Sequence, residues 1–160
     1  KGEEDGARLV AGGAEQPPGQ PTGYFVRPTV FGDVDPGATI AQEEIFGPVL
    51  SILRHEGDDD AVRIANDSRY GLHGAVWSAD EERALAVAKR LRTGTVVVND
   101  STSYWETHPP FGGASRTRSG WGRIGGRFTL LDMTDLRTAI IDVANTTDGW
   151  SGRSAPDSSP

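Results

Sequence analysis

A helix-length segment between two short apolar runs constrains the fold more than any other feature of the sequence. The segment is residues 79–93, and the runs are HGAVW (73–77) before it and TVVVN (95–99) after it. Apolar residues recur along the segment at the spacing of one helical face, at Ala84, Val87, Ala88 and Leu91. Strand–helix–strand passages with short connections are typical of α/β folds. The sequence therefore predicts an α/β fold in which a parallel-type sheet is flanked by helices.

The ends of this helix carry their own signals. Ser78 and Glu81 have the spacing of a capping box, and Gly94 is predicted to take the left-handed position after the last turn. A second passage starts at VLSIL (49–53), which is predicted to be a strand buried on both faces. After this strand, a short helix is predicted to begin near Asp58, and a turn at residues 66–72 leads to the HGAVW strand. Both passages therefore predict parallel neighbouring strands.

The rest of the chain is divided by glycine, proline and polar residues. Residues 1–10 are predicted to be the end of a helix that stops near Gly12, and a helix without an N-terminal cap suggests a truncated chain. Residues 100–127 are predicted to be mostly loop, and residues 137–143 to be a final strand. Residues 144–160 are predicted to be a disordered polar tail.

Composition and charge argue against several classes of function. The 160 residues carry a net charge of −7, whereas a nucleic-acid-binding protein needs a basic face. No apolar run approaches the roughly 18 residues of a membrane span, and the first residues lack the apolar core of a signal peptide, so a cytoplasmic location without a membrane partner is predicted. The chain contains no cysteine. A disulfide, a thiolate metal site and a cysteine nucleophile are therefore excluded within it.

Two patterns resemble parts of known binding motifs, but their context argues against a binding site in both cases. Residues 120–125 match G-x-G-x-x-G, and Asp142 follows about twenty residues later. A dinucleotide fingerprint needs a strand directly upstream, but the preceding HPPFGGASRTRS is not a strand sequence, so these glycines are predicted to form tight turns. His55, His73 and His108 lack metal-ligand spacing. We predict surface or loop histidines and no metal site.

Adjacent acids precede an aromatic residue and a Gly-Pro pair in the segment EEIFGP (43–48). From composition alone, the segment is predicted to be a loop that caps a strand. The alternative is a nucleoside site, because a carboxylate accepts hydrogen bonds from both ribose hydroxyls while a ring packs on a base.

A series of blocks in this order resembles the C-terminal third of aldehyde dehydrogenases. The blocks are GYFVRPTVF (23–31), AQEEIFGPVL (41–50), IANDSRYGL (64–72), LRTGTVVVND (91–100), PFGG (110–113), SGWGRIGG (119–126) and MTDLRTAIIDV (133–143). The resemblance implies that residues 1–136 are the C-terminal part of the catalytic domain. It also implies that residues 137–143 are an oligomerisation strand, which joins the sheet of another subunit in a homo-oligomer.

The resemblance implies a cofactor role for two residues of the EEIFGP segment. Glu44 matches the family glutamate that holds the nicotinamide ribose hydroxyls, and Phe46 matches the aromatic residue that packs near the nicotinamide ring. The cofactor of the complete enzyme would be NAD or NADP.

Four further residues match the substrate side of the family's active site. Asn99 ends the strand that presents an asparagine towards the active-site region, and Phe111 of PFGG matches an aromatic residue that lines the substrate tunnel. Tyr104 and Trp105 fall in the family's variable substrate-binding loop. The ETHPP segment before PFGG and the RTRSGWGRIGG run (116–126) resemble members that act on aromatic or other bulky apolar aldehydes.

The family's reaction implies that this chain needs residues it does not contain. In the family, a cysteine thiolate attacks the aldehyde, hydride passes to NAD(P), and an activated water hydrolyses the thioester to a carboxylic acid. The nucleophile, the general base and the dinucleotide-binding domain lie upstream of the matched segment. We therefore expect no catalytic residue in this chain and no activity from it alone.

Two alternative functions remain open, and one loop departs from the family pattern. The chain could be a non-catalytic protein that docks onto full-length relatives through its last strand, or one half of a split enzyme. The family commonly has a lysine soon after PFGG, where this chain has Ala114-Ser115-Arg116. Arg116, Arg118 and Arg123 are predicted to make surface or loop contacts rather than to bind an anionic substrate.

Overall fold

The computed structural model describes residues 1–103 and 106–141. Over these residues the chain forms strands and short helices in alternation, which confirms the predicted α/β class. In chain order the elements are β1 (Arg8–Ala11), β2 (Thr29–Gly32), α1 (Thr39–Gln42), β3 (Val49–Ser51), α2 (Gly57–Asn66), β4 (His73–Val76), α3 (Glu81–Ala88), β5 (Thr95–Val98) and α4 (Gly126–Asp132).

The described strands pair in two separate sheets. β1 lies antiparallel to β2, and β2 lies parallel to β3. β4 and β5 form a parallel pair with His73 opposite Thr95, so the predicted passage through α3 is confirmed. β3 and β4 lie in different sheets, so the prediction that these two strands are parallel neighbours was wrong. A crossover sets the direction of a strand but not its partner, and β3 instead pairs with β2, a pairing extended by the bond from Ile52 N to Phe31 O (2.8 Å).

The N-terminal segment forms a turn and a strand, so the predicted helix end was wrong. Residues 2–6 make a wide turn in which the Ala7 amide donates to the Gly2 carbonyl at 3.0 Å. Gly6 has φ +89°, which a right-handed helix cannot accommodate. The following residues find their backbone partners in β2 and form β1. Tertiary pairing therefore overrides a local helical pattern that was only one turn long.

Helix α3 is shorter than predicted, and another residue caps it. The side chain of Asp80 accepts the Arg83 amide at 3.0 Å, whereas the Ser78 hydroxyl accepts the Asp80 amide at 3.1 Å. Asp80 rather than Ser78 is therefore the N-cap. The helix ends at Ala88, and Gly94 is not among the residues with positive φ. Ala84 is completely buried in the contact of α3 with β4 and β5.

The core is small, and much apolar surface remains exposed. Ala7, Val34 and Ala38 are buried together, with partly buried apolar residues packed around them. Leu50 of β3 is 57% exposed, so the predicted burial of VLSIL on both faces was wrong for this chain. No side chain of large volume is fully buried among the described residues. Since apolar burial is the main stabilising contribution, we expect a marginally stable fold.

An ion pair between α2 and α3 makes the stability of this fold depend on pH. Arg83 donates to both carboxylate oxygens of Asp58, at 2.6 and 2.8 Å. These hydrogen bonds lower the pKa of Asp58 below its usual range. A lowered carboxyl pKa stabilises the fold at pH values above the unfolded pKa of about 3.9, and the contribution is lost as the pH falls through the folded value.

We therefore expect Asp58→Asn to lower the melting temperature near pH 7 and to flatten its decrease between about pH 5 and pH 3. Asp59→Asn is the matched control, because its side chain lies in the same helical turn and also pairs with an arginine, Arg90 at 2.7 Å. The Asp59 side chain is 94% exposed, so solvent screening is expected to leave this pair with little effect on stability. Thermal melts followed by circular dichroism across this pH range measure both variants. Identical pH profiles for the two variants would contradict the assigned role of Asp58.

No helix among residues 1–103 and 106–141 has both the length and the apolar character to cross a membrane. Residues 137–141 form no strand within this chain, and Ile140 and Ile141 are 91% and 78% exposed. Residues 142–143 of the predicted oligomerisation strand and the predicted tail lie outside the described residues. The oligomerisation strand therefore stays a prediction.

Candidate functional site

The EEIFGP segment is a loop between α1 and β3 whose first residues are tied to the rest of the fold. Gln42 donates from its side-chain amide to the Pro36 carbonyl at 2.7 Å and to the Asp67 carbonyl at 2.8 Å. Glu43 forms an ion pair with Arg69. The two adjacent acids therefore have different environments, because the first is neutralised by an arginine.

Glu44 is exposed and lines a surface cavity of about 300 Å³ with Ala41, Gln42, Glu43 and Tyr70. Among the described residues its carboxylate has no hydrogen-bond donor and no ion-pair partner. Both carboxylate oxygens are free to accept hydrogen bonds, as two adjacent ribose hydroxyls require. The residue therefore fits the cofactor role that the resemblance implies.

Phe46 presents its ring to solvent from a strained backbone position. Its φ is +56° and its side chain is 91% exposed. Positive φ is an outlier for a bulky residue and costs about 1–3 kcal/mol. The ring makes no aromatic contact within the described part of the chain. A flat ring held out beside a free carboxylate fits the binding of a nucleoside.

Asn99 lies at the carboxyl end of the β4–β5 pair. Its amide donates to the Val76 carbonyl at 2.8 Å, and its side-chain oxygen accepts the Ser78 amide at 2.9 Å. Its φ is +58°, a conformation that asparagine tolerates better than most residues. In this chain the side chain therefore joins the ends of two strands and is engaged with backbone.

Phe111 packs against the opposite end of the same strand pair. It exchanges backbone hydrogen bonds with Ile124, at 2.7 and 2.8 Å. Its ring meets His73, the first residue of β4, edge to face with centroids 5.8 Å apart. Since β4 is four residues long, Phe111 and Asn99 are separated by about 10 Å along the strand direction. The structure therefore places them at different ends of the sheet.

His73 is a residue of this region that the sequence analysis assigned wrongly. It lies in β4 rather than on a loop, and its Nε2 atom is buried with no hydrogen-bond partner among the described residues. The one available signal was its place at the start of a predicted strand. His108 is exposed in a loop beside Glu106, as predicted. Within the described ranges no cluster of acidic or histidine side chains has the arrangement of a metal site.

The glycines of residues 120–125 form turns and close contacts, as predicted. Gly125 has φ +96°, and a Cβ there would lie 2.2 Å from the Pro109 carbonyl oxygen. Within the described residues 106–119, directly upstream, the only strand-like pairing is the isolated bridge of Phe111 with Ile124. The phosphate-loop alternative therefore lacks its strand. Tyr104 and Trp105, the other predicted substrate residues, lie outside the described residues.

Comparison with known proteins identifies the family. The sequence profile of the Aldehyde dehydrogenase family matches residues 1–139. The chain belongs to the aldehyde dehydrogenase family. A geranial dehydrogenase from Castellaniella defragrans is 55% identical over 117 residues, which are 73% of this chain and 23% of the relative.

Solved aldehyde dehydrogenases share the fold of this chain. An enzyme from Mycobacterium tuberculosis complexed with NAD+ has a TM-score of 0.75 and 48% identity, over 80% of this chain and 26% of its own. An aldehyde dehydrogenase C mutant from Pseudomonas syringae complexed with NAD+ and octanal has a TM-score of 0.74 and 46% identity, over 79% of this chain and 25% of its own. The chain thus spans about a quarter of the length of these aldehyde dehydrogenases.

Proposed function

We propose that this chain is the C-terminal part of the catalytic domain of an NAD-dependent aldehyde dehydrogenase, which oxidises an aldehyde to a carboxylic acid. The main support is the EEIFGP segment within the family match, where Glu44 has a free carboxylate and Phe46 an exposed ring. In this proposal the cysteine nucleophile comes from residues that this chain does not contain, because the chain has no cysteine. The proposed location of the enzyme is the cytoplasm, which cell fractionation tests.

Glu44 and Phe46 would hold the nicotinamide half of the cofactor. NAD supplies the hydride acceptor when it is bound. The Glu44 carboxylate would accept hydrogen bonds from the ribose hydroxyls, and the Phe46 ring would limit the movement of the nicotinamide. The ion pair of Glu43 with Arg69 supports this division of roles, since it leaves only the second acid available. NAD rather than NADP is proposed because two similar solved enzymes are complexed with NAD+.

The proposed substrate is an aldehyde with an apolar body. Phe111 would contribute to the wall of the substrate tunnel, with its ring orientation set by the contact with His73. Asn99, at the other end of the strand pair, would border the active-site region. Tyr104 and Trp105 would belong to the substrate-binding loop. The names of two similar proteins specify geranial and octanal, which are both apolar aldehydes.

The proposal includes assembly of a homo-oligomer through residues 137–143. Ile140 and Ile141 are exposed, and residues 137–141 make no strand pairing with the described part of the chain. An unpaired β-branched segment of this kind can add to the sheet edge of another subunit.

The role of Glu44 can be tested in a chimera in which residues of this chain replace the matching segment of the Castellaniella defragrans geranial dehydrogenase. Glu44→Gln is expected to raise the KM for NAD about tenfold or more, because hydrogen bonds to a charged acceptor contribute about 1.5–3 kcal/mol. Steady-state kinetics of NADH formation measure the change.

Glu43→Gln provides the matched control in the same chimera. This change removes the partner of Arg69 and is expected to lower the melting temperature while the KM for NAD changes less than twofold or so. Equal KM values for NAD in Glu44→Gln and the parent chimera would refute the proposed cofactor role.

A further inference from the structure

Four arginines line a surface cavity with a volume of about 610 Å³. They are Arg69, Arg92, Arg116 and Arg118, and the ring of Trp121 also lines the cavity. The arginines come from three separated segments, so the cluster exists only in the folded chain. No acidic residue lines the cavity within the described part of the chain.

Backbone contacts hold the segments of this arginine cavity together. The Arg118 amide donates to the Arg69 carbonyl at 2.7 Å, and the Ala114 amide donates to the Gly71 carbonyl at 2.9 Å. Gly71 is required for this approach, because a Cβ there would lie 2.8 Å from the Arg92 carbonyl oxygen. The cavity is therefore shaped by close backbone packing as well as by its arginine side chains.

Most of the positive charge in the arginine cavity is not neutralised. Arg69 is paired with Glu43, and the Arg92 guanidinium donates to the Asn66 carbonyl at 3.1 Å and pairs with no described carboxylate. Arg116 and Arg118 form no ion pair with any described carboxylate. Neighbouring like charges repel one another, and this concentration occurs in a chain whose net charge is −7. A bound anion would remove the repulsion.

Trp121 adds a flat apolar surface at the rim of the cavity. Its indole nitrogen donates to the Arg118 carbonyl at 2.7 Å, which orients the ring. The side chain is nevertheless 92% exposed. An oriented and exposed indole is suited to stacking on a planar ring of a ligand.

We propose that the arginine cavity binds the phosphate groups of a small phosphorylated ligand whose planar ring stacks on Trp121, as in a nucleotide. Guanidinium groups bind phosphate oxygens bidentately. A phosphomonoester carries a charge of about −1.5 to −2 near pH 7. It therefore neutralises more of the positive charge of Arg92, Arg116 and Arg118 than a single carboxylate does. The volume lies within the range of about 300–1,000 Å³ found for small-molecule sites. The sequence analysis predicted surface or loop contacts for Arg116, Arg118 and Arg123 and no anionic substrate. Arg123 does donate to the Gly94 and Gly112 carbonyls, whereas the proposed site assigns an anion to Arg116 and Arg118.

Isothermal titration calorimetry of the full 160-residue chain tests this site, with pyrophosphate, ADP and succinate as probes at low salt. We expect pyrophosphate and ADP to bind, succinate to bind more weakly, and all affinities to fall with added salt. Arg116→Gln and Arg118→Gln are each expected to weaken ADP binding about tenfold or more. Trp121→Ala should remove the advantage of ADP over pyrophosphate, about fivefold or more, and leave pyrophosphate binding unchanged.

Arg127→Gln is the charge-matched control, because it removes one arginine of α4 outside the cavity. Circular dichroism spectra verify that each variant keeps the parent fold, which is expected since Arg116 and Arg118 are exposed. Absence of binding by the parent chain would overturn the proposal. Equal affinities of Arg118→Gln, Arg116→Gln and Arg127→Gln would also overturn it.

Discussion

Purified alone, the 160-residue chain is expected to form no NADH from any aldehyde above the uncatalysed rate. In the proposed function the reaction begins with a cysteine thiolate, and this chain contains no cysteine. Enzymes accelerate their reactions by about 10⁶-fold or more, so the expected loss relative to a complete enzyme is of that order. NADH fluorescence during incubation with NAD and octanal or geranial measures it.

The chimera with the geranial dehydrogenase is the positive control for this assay, because it retains the other segments of that enzyme. It is expected to form NADH under the conditions in which the chain alone forms none. Steady NADH formation that increases in proportion to the concentration of the isolated chain would contradict the assignment of the nucleophile to residues outside it.

Gly94→Ala is expected to destabilise the fold more than other single methyl additions. A Cβ at Gly94 would lie 1.7 Å from the Gly112 carbonyl oxygen, so backbone must move. The cost is expected to be about 3 kcal/mol or more, which is large for a chain whose buried apolar residues are few and mostly small. Urea unfolding followed by circular dichroism measures the change.

Gly47→Ala adds the same methyl group in open space, since nothing lies within 4 Å of a Cβ at that position. Its unfolding midpoint is expected to stay close to that of the parent. If Gly94→Ala unfolds at the same urea concentration as Gly47→Ala, the close approach of residues 94 and 112 is not part of the folded chain.

Gly94 also shows where sequence analysis reaches its limit. The sequence pattern predicted a left-handed backbone for Gly94 directly after the last turn of α3. The helix instead ends at Ala88, and Gly94 is needed because it packs closely against the backbone of PFGG. The contact partner lies 18 residues further along the chain, and no local pattern indicates it. The helix itself was predictable because its apolar face has a clear period.

The N-terminal segment and β3 show the same limit for burial and pairing. A single turn of apolar residues before Gly12 does not distinguish a helix from a strand. The choice depends on β2, which provides the backbone partner for β1. In β3 the apolar run was correctly predicted to be a strand, but its burial depends on what packs over it, and Leu50 remains exposed in this chain.

The candidate site divides in a similar way. The EEIFGP segment was predictable as a loop from its residue types, and the resemblance distinguished Glu44 from Glu43. The ion pair that separates the two acids depends on Arg69, 26 residues away from Glu43. The arginine cavity was not predictable, because its arginines come together only through the packing around Gly71.

A crystal structure of the chimera with NAD+ tests the central claim most directly. Our account predicts that the Glu44 carboxylate accepts hydrogen bonds from the nicotinamide ribose hydroxyls at about 2.5–3.0 Å. It also predicts that the Phe46 ring lies against the nicotinamide side of the cofactor. A structure in which NAD+ is bound while Glu44 and Phe46 remain in solvent would contradict the account.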